Sequence, residues 1–156
     1  MRYVIGLVSD THGMVRASLF DALAGVDRIL HAGDVGPDDV LDELGAIAPV
    51  SAVCGNTDVP GNPRLAKDLV LDIGGVSIHV SHGHELGSPT PAKLLATYPQ
   101  RVLVYGHTHR QRIDEVEGRL VINPGAAGAR RFDLVPSVAR LTIENGVPSG
   151  QLIPLH

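Results

Sequence analysis

Disulfide chemistry is excluded first, because the 156-residue chain carries a single cysteine, Cys54. One thiol can form neither an internal disulfide nor a thiolate-based zinc site. Tryptophan is absent and aromatic residues make up only 3% of the chain, too few for a platform on which nucleic-acid bases would stack. Cations are also in deficit: 13 Lys and Arg face 17 Asp and Glu, a net charge of -4, which argues against a broad nucleic-acid surface. No apolar run approaches the roughly 18 residues of a membrane helix. The apolar opening at 3–8 is shorter than a signal peptide's core and is broken at once by Ser9-Asp10. The chain has no Gly-x-Ser-x-Gly elbow and no Walker-type phosphate loop, which sets aside a serine hydrolase and a P-loop nucleotidase.

The remaining composition, 44% hydrophobic and 19% charged, is that of a globular protein, and the length suits one domain spanning 1–156 with a sizeable core. A reducing cytoplasmic location is expected. Short apolar, β-branched runs at 3–8, 28–30, 50–53, 69–73, 76–80, 102–105, 120–122, 138–143 and 152–153 read as strands. Helical patterns lie at 15–24, 37–45 and 91–98, the last with Thr90 as N-cap and Pro91 at the first helical position. The first half therefore alternates β and α. The second half leans to antiparallel β, with hairpin turns at Gly74-Gly75 and Glu117-Gly118. The loop at 58–64 carries Pro60, Gly61 and Pro63.

Five polar motifs each follow an apolar run: Asp10-Thr11-His12, Gly33-Asp34, Gly55-Asn56-Thr57-Asp58, His82-Gly83-His84 and Gly106-His107-Thr108-His109. Ligands of open α/β sheets bind beyond the carboxyl ends of strands, so these loops are expected to converge at one edge. In an extended strand residues i and i+2 share a face, which predicts that Asp10 with His12, and His107 with His109, each aim at one point. Asp10, His12, Asp34, Asn56, His82, His107 and His109 form an oxygen and nitrogen donor set, enough for two ions. Such donors suit Mn, Fe, Zn, Ni or Co better than Ca or Cu(I). Asp34, between the two histidine-bearing groups in the chain, is the natural bridging carboxylate. Two such ions can hold a hydroxide between them and clamp a phosphoryl group, which points to phosphate-ester hydrolysis.

The order of these five motifs resembles the calcineurin-like metallophosphoesterases, in particular their small bacterial and archaeal phosphodiesterase-like members, over residues 4 to about 128. The resemblance implies an α/β fold, a four-layer α/β/β/α sandwich of two mixed sheets with a dinuclear site at its edge and two divalent transition-metal ions, manganese first. It implies that Asp10, His12, Asp34 and His109 hold one ion and Asp34, Asn56, His82 and His107 the other. Larger members carry His after the Gly-Asn pair, where this chain has Thr57, a poor proton donor. Asp58, which orients that His in those members, is then left to position its loop or a water. The Asn123-Pro124-Gly125 turn resembles a family segment beside the metals and ends in Ala126 in place of Ser.

The expected catalytic residues are Asp34, Asn56, Asp58 and His84, with Asn56 and Arg130 as substrate contacts. His84 could face substrate or bond to backbone, and Arg130-Arg131 could be a solvated pair or offer a guanidinium fork to phosphate. His31, His79 and Cys54 read as structural. The expected activity is a phosphodiesterase acting on a small phosphate ester. A phosphomonoesterase or pyrophosphatase on the same core and a non-catalytic interaction scaffold are the alternatives, the last disfavoured by the complete donor set. The segment 147–155 is either a homo-oligomer surface or an edge strand.

Overall fold

A computed structural model describes residues 1–131 and 133–156. Strands β1 (Arg2–Val8), β2 (Arg28–His31), β3 (Val50–Val53), β4 (Leu65–Ala66), β10 (Ser137–Glu144) and β11 (Val147–Pro154) form a six-stranded sheet in the order β11-β10-β1-β2-β3-β4. Strands β5 (Leu69–Ile73), β6 (Val76–Val80), β7 (Val102–Val104), β8 (Arg112–Val116) and β9 (Arg119–Asn123) form a five-stranded sheet in the order β5-β6-β7-β9-β8. Helices α1 (Ala17–Ala22) and α2 (Asp39–Gly45) belong with the first sheet and α3 (Pro91–Thr97) with the second.

Alternation along the strands builds three apolar layers. Ile5 and Leu7 of β1 face the second sheet and meet Ile78, Val80, Val104 and Ile122, while Val4 and Val8 face outward to Leu19, Leu23 and Leu44 beneath α1 and α2. Leu103, Tyr105 and Val121 point the other way and pack under Leu94 of α3. The result is the expected α/β/β/α sandwich. Burial on both faces explains why β1 reads as an unbroken apolar run.

Both sheets are mixed. Strands β1 to β4 run parallel and β10 and β11 antiparallel to their neighbours. In the second sheet β6, β7 and β9 are parallel, while the β5–β6 and β8–β9 hairpins turn at Gly74-Gly75 and Glu117-Gly118 as expected; with β10 and β11 also antiparallel, the second half leans to antiparallel pairing around a parallel centre. The helix α3 supplies the crossover that parallel β6 and β7 require. The Thr90 hydroxyl accepts from Lys93 N at 3.2 Å and Pro91 opens α3, as expected. Helix α1 is shorter at both ends than its pattern suggested, and Arg140 Nη1 donates to the carbonyls of Ala22 and Ala24 at its C-terminal end. The segment 147–155 is largely β11, an edge strand bearing Pro148 and Pro154. Among the described residues no helix is long and apolar enough to cross a membrane.

Candidate metal centre

The loops after β1, β2 and β3 in one sheet, and after β6 and β7 in the other, carry the polar motifs to a shared edge. Backbone bonds join them. Asp10 N, His12 N and Gly13 N donate to the carbonyls of Gly33, Asp34 and Val35 at 3.0, 3.0 and 2.9 Å, extending the β1–β2 pairing into the loops. Gly106 N donates to His82 O at 3.1 Å and ties the corresponding loops of the second sheet.

The side chains converge for a different reason from the expected one. Strand β1 ends at Val8, and Asp10 and His12 adopt φ values of 53° and 46°. Asp34, His107 and His109 are likewise left-handed, at 54°, 71° and 63°. The pairs are aimed by tight left-handed turns and not by strand pleat. Such conformations cost an ordinary residue about 1–3 kcal/mol and gather at functional sites.

Two groups result. In the first, Asp10 Oδ1 lies 3.3 Å from His109 Nε2 and 3.8 Å from His12 Nε2. In the second, His82 Nε2 lies 3.2 Å from Asp34 Oδ2 and 3.0 Å from Asn56 Oδ1, and His107 Nδ1 lies 3.1 Å from the same Asn56 oxygen. Asp34 Oδ2 also stands 3.6 Å from His12 Nε2, so one oxygen faces a histidine of each group. Asp10 Oδ1 reaches across too, to His82 Nε2 at 3.8 Å, but Asp34 makes the closer approach to both His12 and His82.

The donor chemistry fits metal ions. Asp10 Oδ1 is buried with no hydrogen-bond partner, an arrangement that costs free energy unless a cation satisfies it. His82 bonds through Nδ1 to the Ala32 carbonyl at 2.8 Å, which turns Nε2 toward two oxygens, those of Asp34 and Asn56. A nitrogen between two acceptors needs a proton or a metal ion on it. The Nδ1 bond to a carbonyl is also the orienting contact that metal-bound histidines usually make.

Electrostatics follow from the same contacts. Burial works to raise the Asp34 carboxyl, but His82 and the Thr57 backbone N–H overcome it and hold the group well below the usual carboxylate range. Asp10 is lowered similarly, burial being outweighed by His109, His82 and the Ser9 hydroxyl. Burial opposes protonation of His82, yet the neighbouring Asp34 and Asp10 carboxylates leave its pKa raised. His107 is lowered by burial and by the charge of His82. His31 is wholly buried and pushed down to about 4, chiefly by desolvation. Its Nδ1 accepts from Gly33 N at 3.1 Å, so the neutral ring carries its proton on Nε2, 3.0 Å from Thr11 Oγ1. The Thr11 hydroxyl in turn donates to Val35 O at 2.7 Å, and His31 thereby pins the Asp10 and Asp34 loops from below.

The other expected site residues divide. Asp58 accepts from Val35 N, Gly36 N and Gly55 N at 2.9, 3.1 and 2.9 Å, so its carboxylate clamps two loops. His84 is half-buried, its ring 5.3 Å from that of His82 and 6.3 Å from that of His107. Arg130 is exposed and makes no hydrogen bond or ion pair among the described residues. Asn123 Nδ2 donates to Gly106 O at 3.3 Å and to Thr108 Oγ1 at 3.0 Å, holding the loop of His107 and His109. Ser9, which the sequence marked only as a break in the apolar opening, donates to Asp10 Oδ2 at 2.6 Å, and its place beside Asp10 was the available signal. The Ala32 carbonyl that orients His82 leaves no side-chain trace in sequence.

This fold and this edge define a class. The chain belongs to the calcineurin-like phosphoesterase superfamily, whose domain model matches residues 3–146. It is 36% identical to a probable metallophosphoesterase of Methanocaldococcus jannaschii, over 98% of this chain and 82% of that protein. A phosphodiesterase of the same archaeon is 28% identical over 78% of this chain and 82% of its own length. In fold the chain is similar to Vacuolar Protein Sorting 29 of Cryptosporidium parvum, with a TM-score of 0.81 at 22% identity, covering 99% and 98% of the two chains. The family implies divalent metal ions, and the groups Asp10, His12, His109 and Asp10, Asp34, His82 could hold them.

Proposed function

We propose that the chain is a cytoplasmic phosphodiesterase that works with two divalent transition-metal ions, manganese first, with Fe, Zn, Ni or Co as alternatives. Asp10, His12, Asp34 and His109 would hold one ion and Asp34, Asn56, His82 and His107 the other. The observation that carries this reading is Asp34 Oδ2, which lies 3.2 Å from His82 Nε2 and 3.6 Å from His12 Nε2. Bound ions there would supply Lewis-acid polarisation of a phosphoryl oxygen and an acidified water.

The chain's own groups do the rest. Asn56 turns its carbonyl oxygen to His82 and His107, which leaves its amide N–H groups for a phosphoryl oxygen. Arg130 offers a planar fork to the same anion. His84, whose ring lies beside those of His82 and His107, would pass a proton to the departing oxygen, because the Thr57 hydroxyl is a poor acid. The likeness in fold to Vacuolar Protein Sorting 29 favours, as a second reading, an interaction scaffold. The complete donor set favours the enzyme.

A matrix of metals against substrates tests the proposal. Metal-stripped protein receives Mn, Fe, Zn, Ni or Co and is assayed on an aryl phosphodiester, a phosphomonoester and pyrophosphate. Turnover of the diester above the other two, strongest with Mn, is expected. Preference for the monoester or pyrophosphate moves the activity within the class, and no turnover with any metal supports the scaffold.

A further inference from the structure

A cleft of about 350 Å³ opens beside the donors, shares Asn56 with them and is also lined by His84. That volume lies near the lower end of the roughly 300–1,000 Å³ that small-molecule sites span, room for one organic group and not for a polymer. Cys54, Pro60 and Leu65 give it an apolar wall, and Lys67 and Glu85 stand at the same cleft. The Lys67 ammonium and a Glu85 carboxylate oxygen are 3.8 Å apart, with side chains 79% and 44% exposed. A pair so exposed is weak and easily opened, so both groups are available to a ligand. Lys67 offers donors only and Glu85, ionised, acceptors only. Together they bring no net charge. A second phosphate on the substrate would meet two carboxylates, Glu85 and Asp58, against the one Lys67 cation, whereas hydroxyls can bond to both members of the pair.

We propose, resting on the phosphodiesterase reading, that this cleft holds one substituent of the diester and selects an uncharged, hydroxyl-bearing ring of sugar or nucleoside size. Leu65 and Pro60 take its apolar face, and Lys67 and Glu85 take its hydroxyls. The two charged residues are thus specificity determinants outside the donor set.

The test uses three diesters with the same 4-nitrophenyl leaving group and therefore the same bond cleaved. The other substituent is methyl, thymidine through its 5′ oxygen, or thymidine carrying a 3′-phosphate. With the Mn-loaded chain, kcat/KM for the thymidine diester should exceed that for the methyl diester at least tenfold, mainly through KM, and the 3′-phosphate should cancel the gain. Glu85→Lys should raise the phosphorylated diester tenfold or more relative to the unphosphorylated one and leave the methyl diester within about twofold. Equal KM values for all three, or a Glu85→Lys effect that moves all three alike, would overturn the proposal. If no diester is cleaved, the phosphodiesterase reading fails. Calorimetric titration of the same intact diesters then decides on the cleft: the same order in Kd upholds it, and equal Kd values reject it.

Discussion

Asp10, His12, Asp34, His107 and His109 are left-handed although none is glycine, and among the described residues only Glu117 and Asn145, both in hairpin turns, join them in that region outside glycine. The loops tolerate this because backbone bonds and the His31 hub leave them little alternative. Neighbouring glycines answer a second demand. A Cβ on Gly55 would lie 2.1 Å from Asp34 Oδ1, and one on Gly106 would lie 2.1 Å from Ser9 Oγ and 2.7 Å from Asp10 Oδ2. Gly55 therefore leaves room for the Asp34 carboxylate, and Gly106 for the Ser9 hydroxyl and Asp10 carboxylate, arriving from other loops. The metal-capable side chains that meet at this edge were legible in the sequence; the left-handed turns that aim them were not, because Asp and His, though enriched at positive φ, adopt it only in a minority of positions.

His82 sets the pH dependence at this scale. Its raised pKa means that, without metal, the His82 cation paired with Asp34 persists above pH 6.5. The pairing stabilises the metal-free fold fully below the unfolded value of 6.5 and is lost as pH rises through the higher folded value. A metal ion must displace that proton, while Asp10 and Asp34, both lowered, stay ionised throughout. Mn affinity measured by calorimetry should rise about tenfold per pH unit while His82 is protonated and then level off. Proton release should appear as a difference between buffers of unlike ionisation heat. Affinity flat from pH 6 to 8 would remove His82 from the ligand set.

At the scale of elements, the ends of parallel strands place the site, and Asp58 locks two of the loops. Its three acceptor bonds tie the loop after β2 to the loop after β3. Asp58→Ala should lower unfolding free energy by about 3 kcal/mol, since buried N–H groups lose their partners, and weaken metal binding with it. Urea denaturation with and without Mn measures both. Unchanged stability and metal affinity with lowered turnover would instead favour the catalytic role expected from the sequence. The strands overlooked in sequence share a cause. Strand β8 reads Arg-Ile-Asp-Glu-Val at a sheet edge, with little apolar signal, and β4 is two residues long. Strand β11 mixes Pro148, Ser149, Gly150 and Gln151, and only its 152–153 segment looked like a strand. Central strands, buried on both faces, were legible, and so was the apolar edge strand β5; the edge strands β4, β8 and most of β11, which are short or rich in polar residues and proline, were not.

For the whole molecule, the two sheets meet at the site. Asp10, His12, Asp34 and Asn56 come from loops of the six-stranded sheet, and His82, His107 and His109 from loops of the five-stranded one. Each proposed ion would therefore draw ligands from both sheets and staple the sandwich at one edge. The measurement that tests this account most directly is the metal content of the chain saturated with Mn, beside that of Asp34→Asn, by elemental analysis after removal of free ion. The account predicts two ions per chain in the wild type and loss of both in Asp34→Asn, because one carboxylate serves both positions. One ion per chain at saturation, or two ions undiminished in Asp34→Asn, would contradict it.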